Sequence, residues 1–185
     1  MHEDVLDFWF GPPPHAERGV WFRKDPVFDA SIRERFGPTI ETALAGGHRD
    51  WAATPRGALA RVLLLDQFTR NVFRETPRAF AGDADALATA QQAIATQFDR
   101  ALDPYERWFL YMPFVHAEHP VHQQHSVELF ARLAAEEGLT GTLDWAERHA
   151  AVIRRFGRFP HRNATLGRLS TPAEEAFLAE QGSRF

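Results

Sequence analysis

The stretch PRGALARVLLLDQFTRNVFR, residues 55–74, decides the fold. Thr54 and Pro55 open it as a cap followed by a proline at the first helical position, where the missing N–H costs nothing. Leu59, Val62, Leu63, Leu64 and Leu65 then spread apolar surface round most of a turn, and a helix does this only when it is packed on several sides. Asp66, Gln67, Arg70, Asn71 and Arg74 follow in the same element. Asp66, Arg70 and Arg74 stand at successive i,i+4 positions, so one face carries a carboxylate and two guanidiniums. A charge on so buried a helix needs a partner, because isolation from water is costly. The face is therefore either an internal Asp66–Arg70 pair that orients core helices or the wall of a polar pocket.

The same signals recur outward from this stretch. Val5, Leu6, Phe8 and Trp9 mark a short amphipathic helix over residues 4–10, stopped by Gly11 and three prolines. Asp25 and Pro26 open a stripe of Phe28, Ile32, Phe36, Ile40 and Leu44, kinked at Gly37-Pro38 and ended by Gly46-Gly47. Asp83 is expected to cap a helix running to about residue 102, with Leu87, Ala90, Ile94 and Phe98 on one face. Asp103-Pro104 begins the aromatic run ERWFLYMPF, which reads as core. Residues 121–137 and 143–156 form two more helices, ended by Gly138 and Gly157, and Thr171-Pro172 with Glu174 makes a capping box for a last one. No segment alternates as a strand does. The pattern predicts an all-α chain of about eight helices in a single domain, residues 1–185. A chain of this size buries about 70% of its unfolded surface, and sixteen Phe and five Trp predict a bulky aromatic core.

Composition narrows the function. The formal net charge of −4 and a pI near 6.1 argue against a nucleic-acid binder, whose domain would be basic. Cysteine is absent, which removes disulfides, thiol nucleophiles and thiolate metal ligands. No apolar run approaches a membrane span, and MHEDVLDFWF lacks the basic start of a signal peptide, so a cytoplasmic chain without membrane contact is expected.

One block breaks the acidic background. From His149 to Thr171 no acidic residue occurs, while Arg154, Arg155, Arg158, Arg162 and Arg168 are all cationic. Arg154 and Arg155 suit a helix C-terminus, where the macrodipole favours cations. Arg158, His161, Arg162 and Asn163 fall beyond it in a segment that Pro160 keeps from continuing the helix, and no helix end explains them. A metal reading is tempting at His116, His119, His122 and His125, but steps of three drift by about 60° on a helix and scatter the imidazoles. The His-Glu-x-x-His motif is broken by Ala117, and His116-Ala117-Glu118 matches a zinc deaminase only in a chain that also supplies cysteines. No metal and no cofactor are expected.

LDFWFG, LLLDQFTRN, ERWFLYMPFVHAE and RFGRFPHRNATLGRLSTPAEEAFL together resemble an uncharacterised bacterial protein family, a domain of unknown function, over nearly the whole chain. The resemblance implies a tetratricopeptide-like superhelix of antiparallel helix pairs, although the chain shows no 34-residue repeat of its own. It implies no activity. Asp66, Gln67, Arg70, Asn71, His116, Glu118, Gln123, His149, Arg158, His161, Arg162 and Asn163 lie on the family pattern. Thr69 stands where a proline is usual, Ala117 where a serine is, and His119, His122 and His125 where other polar residues are.

Three functions fit these residues. In the first, a small anionic molecule is held by Asp66, Gln67, Arg70, Asn71, His149, Arg158, Arg162 and Asn163, with His116 or His161 as acid/base and Glu118 or Asp66 orienting it. In the second, the helices hold a peptide or partner protein on a concave surface without catalysis. In the third, the polar residues form a buried network that locks the packing. The residues alone do not say whether the chain is an enzyme.

Overall fold

The computed structural model describes residues 1–180, and within them every regular element is helical. Helix α1 (His2–Phe10) ends at Gly11, whose φ of 77° favours glycine. Helix α2 (Pro26–Leu44) starts where the Asp25 side chain accepts from the N–H groups of Val27 and Phe28, both at 3.1 Å, and it runs through Pro38. Helix α3, residues 55–72, is capped by the Thr54 hydroxyl, which accepts from Gly57 N at 3.2 Å. It is α-helical over Pro55–Val62, widens to a π-helical turn over Leu63–Phe68, and narrows again over Thr69–Val72. Then come α4 (Asp83–Ala95), α5 (Pro104–His116), α6 (Pro120–Glu137), α7 (Thr140–Phe156) and α8 (Pro172–Leu178). Capping boxes open α5, through Asp103 and Glu106, and α8, through Thr171 and Glu174.

Two expectations about α4 are corrected. Asp83 is its first residue and not its cap, because arginines occupy the carboxylate. The helix also stops at Ala95, where Gln97 at φ 60° turns the chain into the short 3₁₀ turn Phe98–Ala101.

Helix α3 is the hub. Residues 57–69 are buried without a break, and α1, α2, α4 and α5 all pack on this run. Aromatic rings fill the space between: Phe109 takes Trp9 edge-on at 5.3 Å and Trp21 at 4.7 Å, and Phe8 meets Phe68 at 6.1 Å. At Gly82 a Cβ would stand 2.2 Å from the Leu65 carbonyl oxygen, so only glycine lets the start of α4 press against the π turn. Helices α6 and α7 pack on each other and on α5. Beyond them Val152, Ile153 and Phe159, with Phe156 and Phe177, make a second, smaller apolar cluster that anchors α8. No helix among the described residues is long and apolar enough to cross a membrane.

Candidate functional site

The π turn delivers Asp66 into the interior. Its side chain is fully buried, accepts from Gln67 and from His116 Nδ1 at 2.7 Å, and forms an ion pair with Arg70 at 3.1 Å. Burial opposes its ionisation, but the Arg70 guanidinium, His116 and these hydrogen bonds outweigh burial and hold the carboxyl well below the usual range. An ionised carboxylate only accepts, so His116 Nδ1 carries the proton and Nε2 is left as the basic nitrogen. Burial, helped by the Arg70 charge, pushes the His116 pKa down against the pull of Asp66. The result is a neutral imidazole oriented by a carboxylate. Arg70 spends its other donors on the Asp66 carbonyl at 2.7 Å and on both oxygens of Asp83 at 2.8 and 3.0 Å.

His116 stands in the wall of a cleft of about 830 Å³, together with Gln67, Arg70, Asn71, His149, His161 and Arg162. Within it most cations already have a carboxylate: Arg23 has Asp25, Lys24 has Glu75, Arg70 has Asp66 and Asp83, and Arg74 has Asp29. Arg162 differs. Its side chain is 7% exposed, yet among the described residues its guanidinium makes one hydrogen bond, to Asp83 at 3.4 Å, and its Nε has no partner. An arginine has five N–H donors. It lies over the rings of Phe80 and Phe159, 4.8 and 4.7 Å from their centroids. Burial, and then the Arg70 charge, pull its pKa down to about 10, which still leaves it cationic at neutral pH.

The remaining two imidazoles are neutral as well. Burial takes His149 down to about 3, although its Nδ1 donates to the Trp145 carbonyl at 2.8 Å. Burial and the neighbouring Arg162 charge take His161 to about 4.

Three residues expected at the site stand elsewhere. Glu118 does not reach His116; it accepts from Phe159 N at 2.7 Å and from Arg168 at 2.6 and 3.0 Å. Asn163 accepts from Arg168 at 3.0 Å and donates to Ser170 at 3.0 Å. Arg158 grips Glu174 at 2.6 and 2.8 Å, and that bond holds the Glu174 carboxyl down at about 2. Glu118, Arg168, Asn163, Glu174 and Arg158 are thus a staple that fixes the segment after α7 onto the end of α5. Asn71 lines the cleft but donates to Asp29 at 2.7 Å.

The family model for bacterial proteins of unknown function, DUF924, matches residues 5–182. The chain belongs to DUF924. Among solved structures it is similar to ATU0120 from Agrobacterium tumefaciens, a protein of unknown function, at 39% identity and a TM-score of 0.87, covering 96% of each chain. A comparison with curated proteins found no match.

In this DUF924 chain the later histidines gather at the start of α6, where the His119 and His122 rings lie 5.2 Å apart. His119 Nδ1 accepts from Val121 N at 3.3 Å at the start of α6, while His122 and His125 meet Phe114 at 6.3 and 4.9 Å. One trio among the described residues, His15, Asp103 and Glu106, brings ligand atoms within 4.8 Å of one another. Asp103 and Glu106 are already committed to the capping box of α5, and Glu106 also accepts from Arg56. Sequence reasoning missed Asp83, read as a cap, and Arg168, read only as part of a basic block. It also missed Trp21, Phe22, Trp108 and Met112, which line the cleft but look like core in a linear chain.

Proposed function

We propose that this protein binds a small anionic molecule in the cleft, with Arg162 as its anchor and His116, oriented by Asp66, as a general base. The observation that carries this reading is the bonding deficit of Arg162: a buried guanidinium with five donors and, among the described residues, a single 3.4 Å hydrogen bond. Guanidiniums match carboxylate and phosphate groups with paired, charge-assisted hydrogen bonds, and a ligand oxygen would supply the missing acceptors. The carboxylate–imidazole pair is the arrangement that general-base catalysis uses, with Nε2 free for a substrate proton. A single domain of tetratricopeptide-like antiparallel pairs is the scaffold we infer for it.

A purely structural reading suits a different subset of residues. Glu118, Arg158 and Asn163 satisfy one another through Arg168 and Glu174, so we assign them to locking the C-terminal segment.

Denaturation with and without inorganic phosphate separates the two roles. Phosphate should stabilise the parent, by about 1.4 kcal/mol for each tenfold excess over its Kd. Arg162→Gln should keep a stability within about 1 kcal/mol of the parent and lose the phosphate effect. Arg158→Gln should be less stable, because it strands Glu174, and should still respond to phosphate. A phosphate effect that survives Arg162→Gln, or none in the parent, would sink the anchor assignment.

A further inference from the structure

The shape of the cleft says more about its ligand than the anchor does. Trp108, Met112, Val115 and His116 all line it and sit on one face of α5 at spacings of four, three and one. From Trp108 to His116 this wall extends about 12 Å, at 1.5 Å per residue. Its polar end is His116, near Arg162. Away from that end it is apolar and soft: Met112 is unbranched and adaptable, and Phe22 stacks on Trp108 at 5.3 Å with half its surface exposed at the mouth. The end of α3 and the turn after it add Arg70, Asn71 and Arg74 to the lining, but Asp66, Asp83 and Asp29 already occupy donors of theirs. Past Arg162 these arginines therefore offer a ligand their aliphatic stems and little free charge.

We infer that the ligand is an elongated amphipathic anion: a phosphate or carboxylate head at Arg162 and His116, with an unbranched apolar chain lying along α5 toward Trp108 and Phe22. This rests on the anion-binding reading above and extends it from a charge to a substrate class. A bare anion would leave most of the 830 Å³ unused, and ligand sites of this size are filled chiefly by apolar contact with a few polar groups fixing orientation. Arg162 is too deeply buried to meet a headgroup in the plane of a bilayer, so the ligand is taken as a free molecule and not at a lipid surface.

Calorimetric titration with inorganic phosphate, octyl phosphate and octanol tests this. Octyl phosphate should bind at least about tenfold tighter than phosphate, and octanol should bind weakly or not at all. Phe22→Ala, at an exposed position, and Met112→Gln, at a half-buried one, should each erode the advantage of the octyl chain while leaving inorganic phosphate unchanged. If octyl phosphate gains nothing over phosphate, or its gain survives both substitutions, the chain-binding inference fails and the anion site stands. If Arg162→Gln binds octyl phosphate as well as the parent does, or octanol competes equally, the anion reading itself fails. Sedimentation with phosphatidic acid vesicles distinguishes the remaining source: cosedimentation would place the head at a membrane and overturn the free-ligand assignment.

Discussion

Asp66 has no contact with solvent, and its charge is tolerable only because Arg70 and His116 stand against it. Asp66→Asn should therefore cost about 3 kcal/mol or more, the usual penalty for breaking a buried pair from one side; a neutral result in urea denaturation would mean that Asp83 alone satisfies Arg70. The neighbouring histidines carry the pH dependence. His149 and His161 titrate near 3 and 4 in the folded protein, against about 6.5 in an unfolded chain. Below 6.5 the unfolded chain binds protons that the folded one refuses, so stability rises with pH through this window. It is fully present above about 6.5 and is lost as pH falls toward 4 and then 3, each group contributing at most about 1.4 kcal/mol per pH unit. Denaturation midpoints at pH 7.5 and pH 5 should differ accordingly, and His161→Asn should flatten the slope by up to one proton. An unaltered slope would show that His161 ionises freely in the fold.

At the scale of elements, the helix starts were legible because a cap and a proline are neighbours in the chain. Asp25-Pro26, Thr54-Pro55, Asp103-Pro104 and Thr171-Pro172 each open the helix they announce. The π turn was not legible, since LLLDQF is apolar or buried on every side and leaves no periodicity from which to read a change of register. Nor were the pairings: Asp83 is 13 residues from Arg70 and 79 from Arg162, and a carboxylate at a helix start looks like a cap whatever its side chain does. The tight seat of α4 on the π turn gives a clean comparison. Gly82 has an ordinary φ of −92°, so Ala is strained there only by its Cβ against Leu65, and Gly82→Ala should cost about 1–3 kcal/mol, as overpacking does. Gly141, in the first turn of α7, has open space around it, and Gly141→Ala should gain about 0.5–1 kcal/mol. Equal effects in thermal melts would mean that the α4 contact yields without strain.

Across the whole molecule the candidate site straddles two apolar clusters of unequal size. Asp66 and His116 belong to helices of the large one, whereas the segment carrying His161 and Arg162 is tied down by the small cluster around Val152, Ile153 and Phe159. Local stability follows buried apolar contact, so amides of α8 should exchange with deuterium faster than those of residues 57–69. Octyl phosphate, if it bridges both sides, should slow exchange at residues 160–163. Uniform exchange across the chain would mean that both clusters open as one. The π turn ties this architecture to the gene. A π turn amounts to an α-helix that has taken in one additional residue; were it to close to an α-helix with all its residues kept, everything after it would rotate by about 100°. Arg70, Asn71 and Arg74 would swing off the cleft together with none of them altered. A one-codon deletion in that window would instead let the turn close without this rotation, and so is the one change of length there that the wall should survive.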